Sequence, residues 1–199
     1  MERVEWLEIA RVKAFSDGVF AIAATLLAFN FHLADPADLP VSALIAGIEP
    51  QLTAFMISFA VAGVYWRNHN RLFALLERVD TRLNQLNMAL LATVCLMPFA
   101  AGLLAGGNPG AGSLILYAAT IALIGLLSAA QWAYAASRPA LLAAHAAPGE
   151  LWRWVGVACV PPAVFLCSTA LASWSVPWAM RSWAALLVLL PLARRLCRR

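Results

Sequence analysis

The chain has 199 residues, of which 63% are hydrophobic and only 12% charged, and its mean hydropathy is +0.78. An ordinary soluble domain carries about twice that charged fraction, roughly 25%, so the composition excludes one and is that of an integral membrane protein. The net charge of +4 is small, and its distribution along the chain matters more than its size.

In chain order, Met1–Lys13 alternates acids with bases and contains no apolar core, so no cleavable leader is expected. Beyond it, six stretches are long and apolar enough to cross a bilayer core, which takes about 20 residues in helical form. They cover about residues 14–33, 43–66, 84–105, 113–136, 152–173 and 177–193. The expected fold class is therefore all-α integral membrane, with six transmembrane helices in one unit. Glu49-Pro50 in the second span and Pro98 in the third suggest local breaks, and Pro161-Pro162 should kink the fifth. The run Gly106–Gly110 is a loop by composition, and Ser173–Pro177 is a very short turn.

Of the 14 basic residues, all but Arg181 fall before the first span, between spans 2 and 3, between spans 4 and 5, or after the sixth. The bias places those segments, and both termini, in the cytoplasm of a cell-membrane protein. Topology explains the basic balance without nucleic acid; the Arg-rich tail suits contact with anionic lipid. Most of the tryptophans lie near span ends, as interfacial anchors in the lipid bilayer do. Cys95, Cys159, Cys167 and Cys197 form no CxxC pair and read as buried structural thiols rather than a disulfide or metal site.

The first span carries an acid at its mouth: from Gly18 to Phe29 nothing is charged, and only Thr25 is polar. Alternating spans bring the start of span 1 to the end of span 2 and the start of span 3. Arg11, Ser16 and Asp17 then share a depth with Trp66, His69 and Asn70 and with Asn84 and Asn87. These residues supply a carboxylate, a guanidinium, an imidazole and carboxamides, enough to satisfy one another inside an apolar bundle. The competing reading is a set of solvated interfacial groups, with Asp17 paired to Lys13 one turn away. No metal site is indicated, since His32 and His145 belong to other segments. Ser16 and Asp17 are adjacent on a helix and point about 100° apart, so they cannot form a catalytic triad with His69; no cofactor fingerprint occurs either.

Arg11, Phe15, Gly18, Ile22, Thr25 and Phe29 lie along one stripe of the first helix, bordered by Leu26. Ala14, Asp17, Ala21, Ala24 and Ala28 form a small face suited to close packing on a neighbour. The stripe is either a further packing surface or the wall of a pore, where an isoleucine ring would gate by dewetting.

The stretch Arg11-x-x-x-Phe15-Ser16-Asp17-Gly18-Val19-Phe20-Ala21-Ile22-Ala23-Ala24-Thr25-Leu26-Leu27 resembles the signature of the endosomal–lysosomal transmembrane potassium channel family in its short prokaryotic form. Two further blocks are similar: Ser58-Phe59 with Tyr65-Trp66-Arg67-Asn68-His69-x-x-x-Phe73, and Asn84-x-x-Asn87 with Leu96-Met97-Pro98-Phe99. The resemblance covers the first three spans, about half the chain. It implies a passive cation channel with a modest preference for potassium over sodium, no cofactor, and no carbonyl filter of the TVGYG kind. It further implies a pore lined by the first helix and built from four copies of a single-repeat chain. By position, Ile22 matches the hydrophobic constriction, with Thr25, Leu26 and Phe29 on its outer side. Arg11, Phe15, Ser16, Asp17, Trp66, His69 and Asn87 match the supporting network. Acidic Asp35, Asp38 and Glu49 near the outer face could concentrate cations. The rival readings are a secondary transporter using the Asp17/His69 cluster and a non-conducting scaffold.

Overall fold

The computed structural model describes residues 8–32, 40–105 and 109–197. Asp35 and Asp38 lie outside them, as does most of the Gly106–Gly110 loop. Among the described residues seven α-helices follow one another: α1 (Ile9–Leu26, extended by a 3-10 turn at Leu27–Asn30), α2 (Val41–Ala74), α3 (Thr81–Leu104), α4 (Ala111–Ala136), α5 (Pro148–Ala172), α6 (Val176–Ser182) and α7 (Ala185–Cys197). Among the described residues no strand forms, and six helical stretches are long and apolar enough to span a membrane, with α6 and α7 counted as one.

Local chemistry sets the ends. Asp80 caps α3 by accepting from the Leu83 N–H at 2.8 Å, and its other oxygen accepts from the Tyr134 hydroxyl at 2.7 Å, which ties α3 to α4. Prolines occupy the first turns of α5 and α6, where the missing N–H would have no helical partner anyway. Pro50 and Pro98 do not break their helices as expected: α2 and α3 run through both, and α5 continues across Pro161-Pro162. One lost N–H donor in α2 and in α3, and two in α5, are small defects in helices of 34, 24 and 25 residues that are packed by neighbours.

The helix α2 continues eight residues past the expected span end at 66, so His69, Asn70 and Arg71 are helical rather than in a loop. The short connections that follow are knitted together. Leu76 pairs with Leu142 in an isolated antiparallel bridge, and the Ala143 N–H donates to the Leu75 carbonyl at 3.0 Å. Around them Leu72, Val79, Leu83, Trp132, Leu141 and Leu151 form a second core at the Arg-rich end. The Arg71 guanidinium lies 3.6 Å over the Trp154 ring there.

The main core is centred on α3, α4 and α5. Half of the most apolar stretch of α3 and of α4 is buried, against 11% in α2 and in the α6–α7 span. Large apolar groups on α2, among them Ile45, Leu52, Met56, Phe59 and Trp66, are exposed.

A tight crossing joins α2, α4 and α5 at Gly125. A Cβ there would lie 2.7 Å from Pro162 Cδ and 2.7 Å from the Tyr65 hydroxyl oxygen. That hydroxyl donates to the Ile121 carbonyl at 3.2 Å, so a methyl group at Gly125 would have to displace a proline ring and a hydrogen-bonded tyrosine. Gly125→Ala should therefore destabilise the protein by about 1–3 kcal/mol, as overpacked cores do. Gly156→Ala on α5, where a Cβ meets nothing within 4 Å, should be neutral or stabilising by up to about 1 kcal/mol. Thermal unfolding of the two purified variants separates them; equal midpoints would contradict the crossing.

Candidate functional site: a braced first helix

One face of α1 is held by the rest of the subunit through Ser16, Phe20, Ala23 and Leu27, all buried. Ser16 is fully enclosed, and its hydroxyl donates to the Val12 carbonyl one turn back at 2.8 Å. The Asn87 amide from α3 donates to the Ser16 oxygen at 3.0 Å. Its carbonyl oxygen lies 2.9 Å from His69 Nε2 on α2. Because the Asn87 nitrogen is committed to Ser16, the oxygen is the acceptor and His69 Nε2 carries the proton in this pair. Phe73 stacks on the imidazole with ring centroids 4.2 Å apart, and Phe20 tilts against it at 5.8 Å. A single carboxamide thus joins α1, α2 and α3.

Asp17 sits beside this bridge, half-buried, and belongs to a second set of bonds. One carboxylate oxygen accepts from Trp66 Nε1 at 2.8 Å and, at 3.4 Å, from the Asn70 amide. Among the described residues it makes no ion pair with Lys13; neutral donors from α2 hold it instead. Of the expected cluster the structure therefore brings together Ser16, Asp17, Trp66, His69, Asn70 and Asn87, and no side-chain hydrogen bond joins Asn84 to it among the described residues. Arg11 and Phe15 are exposed, and within the subunit no hydrogen bond joins Arg11 to the cluster among the described residues.

The stripe on α1 faces away from the subunit. Phe15 is 57% exposed, Ile22 61%, Leu26 42% and Phe29 77%, at roughly 120° round the helix from the buried face. Thr25 is also exposed, and its hydroxyl donates to the Ile22 carbonyl at 2.8 Å, leaving its lone pairs free. The small face behaves differently from expectation. Ala14, Ala21 and Ala28 are exposed, and Ala21 and Ala24 look across a cavity of about 430 Å³ toward Phe59, Ala62 and Gly63 of α2. Close packing within the chain is made instead by Phe20, Ala23 and Leu27, because those positions share the side of Ser16 that Asn87 pulls inward.

Sequence reasoning missed the C-terminal end of α1. Asn30 donates to the Pro98 carbonyl of α3 at 2.8 Å. Its carbonyl oxygen approaches Gly102 so closely that a Cβ there would lie 2.7 Å away. Gln51 holds the backbone of His32 from both sides, at 2.7 and 2.8 Å. The available signal was a lone asparagine ending an apolar run. Glu49 borders a separate outward hollow with Pro109 and Trp183, and among the described residues no group of acidic, histidine and cysteine side chains could hold a metal ion.

The bonding predicts an order of sensitivity. Asn87→Ala leaves both Ser16 and His69 short of a buried partner, at about 1–3 kcal/mol for each group. Asp17→Asn keeps an acceptor for Trp66 at a half-exposed site and should lower the thermal midpoint far less. The reverse order in the unfolding of the two purified variants would show that Asn87 is not the central bridge.

Comparison with known proteins agrees with this architecture. The family model described as endosomal/lysosomal potassium channel TMEM175 matches residues 11–98, the part that contains the whole brace and the exposed stripe. Potassium channel Cha6605_3372 of Chamaesiphon minutus is 36% identical over 152 residues, covering 73% of this chain and 75% of that one. Potassium channel B446_29190 of Streptomyces collinus is 42% identical over 100 residues, covering 49% of this chain and 48% of its own. The human endosomal/lysosomal proton channel TMEM175 is 35% identical over 105 residues, which are 48% of this chain and 21% of that protein. The chain thus spans about half the length of the Streptomyces relative and a fifth of the human one. The crystal structure of a lysosomal potassium-selective channel TMEM175 homologue from Chamaesiphon minutus superposes with a TM-score of 0.79 at 28% identity, covering 92% of this chain and 96% of that one. These relatives are ion channels rather than enzymes, and the chain belongs to the TMEM175 channel family.

Proposed function

We propose that four copies of this six-span chain assemble around a central axis in the cell membrane, with both termini cytoplasmic, as a passive channel for monovalent cations. The observation that carries this reading is the stripe of α1. Four large apolar groups on a helix anchored through its other face remain 42–77% exposed in the single subunit. The exposed flank of α2 and the open groove between α1 and α2 are of the same kind, and neighbouring copies would cover them. A closed ring assembly brings each α1 stripe to the axis.

In this arrangement Ile22 forms the constriction. An apolar ring expels water and opposes ion passage until it widens. Thr25, one turn outward, offers a hydroxyl oxygen to a partly dehydrated ion, and Leu26 and Phe29 bound the outer stretch. No charged side chain lies on the stripe between Phe15 and Phe29, so selectivity rests on dehydration. Sodium holds its water more tightly than potassium and crosses a dry ring less readily, which gives a modest preference for potassium. Ser16, Asp17, Trp66, His69 and Asn87 set the tilt of α1, with Arg11 and Phe15 at the inner mouth.

Purified protein in liposomes should carry passive flux that favours potassium over sodium, and Ile22→Asn should raise it several-fold by wetting the ring. Flux that requires a coupling gradient would favour a transporter, and no flux in either protein would favour a scaffold. In mild detergent, light scattering should give four times the chain mass of 21.4 kDa; a stable monomer would contradict the assembly.

A further inference from the structure

The cleft between α2 and the α5–α7 pair takes no part in the channel reading. Helix α7 packs along α5 and stands off α2, and it buries none of its residues fully. The gap is an apolar cavity of about 430 Å³, walled by Val61 and Val64 of α2, Pro161 and Phe165 of α5, and Leu187 and Leu190 of α7. Trp183 closes one end, where it also borders the outward hollow beside Glu49. At the other end Val64, Tyr65, Pro161 and Leu190 continue into a narrow neck that meets Asn68 and Arg194. The Asn68 amide nitrogen is committed to the Ser128 hydroxyl at 2.8 Å. Half-buried Arg194 has no hydrogen-bond or ion-pair partner among the described residues.

The dimensions and the charge name the occupant. From Leu186 to Arg194, α7 rises about 12 Å, close to the half-thickness of a bilayer core, about 15 Å. The slot is too small for a helix of about 10 Å diameter but takes a single extended chain. Apolar walls inside a bilayer gain nothing from the hydrophobic effect over lipid itself, so the discrimination has to come from the neck. There a guanidinium matches a phosphate in planar, paired geometry, and basic pockets between membrane helices suit anionic head groups.

We propose that this cleft is a binding site for one anionic phospholipid of the leaflet at the Arg-rich end, with an acyl chain between α2 and α7 and its phosphate on Arg194. The proposal stands independently of whether the chain conducts.

Native mass spectrometry of the full chain in detergent tests it, after delipidation and add-back of dioleoyl phosphatidylglycerol or dioleoyl phosphatidylcholine. The wild type should retain phosphatidylglycerol preferentially. Arg194→Gln should lower that preference about fivefold, and Arg195→Gln, exposed and off the cleft, should leave it unchanged. Ala60→Trp, which places a ring in the cavity, should abolish retention of both lipids, with Val64→Phe as the milder blocker if the first variant misassembles. Equal retention of the two lipids by the wild type would overturn the site, as would a preference untouched by Arg194→Gln. Loss with Arg194→Gln but full retention in both blocked variants would reduce it to a surface head-group contact and overturn the cleft.

Discussion

A hydroxyl, a carboxamide and an imidazole buried together in an apolar bundle must satisfy one another, because neither lipid nor core offers them a partner. Asn87 meets part of that constraint with one side chain, giving Ser16 a donor and His69 Nε2 an acceptor, while the Val12 carbonyl takes the Ser16 proton and His69 Nδ1 stays without a partner among the described residues. The rest of the structure follows from this bridge. It decides which side of α1 turns inward and brings Phe20, Ala23 and Leu27 against the core. It also leaves Phe15, Ile22, Leu26 and Phe29 outward. Asp17 adds a second tie through Trp66 and Asn70 on the same helix pair, and Asn30 anchors the far end of α1 against α3. The helix is pinned at both ends while its outward stripe stays bare.

Rigidity is unevenly distributed. Helices α3, α4 and α5 form the dense part of the molecule, and the crossing at Gly125 shows how little free space remains there. Helices α2 and α7 are more loosely attached, and their apolar flanks are open. In a membrane this is no defect, since lipid tails cover such surfaces as well as protein does. The second core at the Arg-rich end, with Leu76 paired to Leu142 and Arg71 on Trp154, gives the short connections a packed support. A dense core with bare flanks is what the assembly proposed above requires, since its neighbouring copies would complete the surface.

Much of this was legible in the linear order of residues. The six apolar stretches and the lopsided arginines are composition effects that need no tertiary information, because bilayer thickness sets the length of a span. Alternating spans also predict that Ser16, Asp17, His69 and Asn87 share one depth. Depth is not contact, however. Nothing in the spacing says that Asn87 bridges two groups while Arg11 stands clear, or that Asp17 is held by Trp66 instead of Lys13. The reach of α2 to Ala74 was equally hidden: polar residues after Trp66 look like a loop to hydropathy, yet a helix leaving the membrane keeps its backbone bonds in water.

The faces of α1 show the division most clearly. Its periodicity alone determined that an apolar stripe containing Ile22 and a small face containing Ala21 and Ala24 exist, since a period of 3.6 residues assigns every position to a side. Which side is buried was decided only by the tertiary structure. Both faces are apolar enough to pack, yet the buried side is a third one, Ser16, Phe20, Ala23 and Leu27, and the hydrophobic effect does not discriminate among them. The choice is made by directional hydrogen bonds from Asn87, a residue 71 positions away from Ser16, and such bonds exist only once the three helices have met.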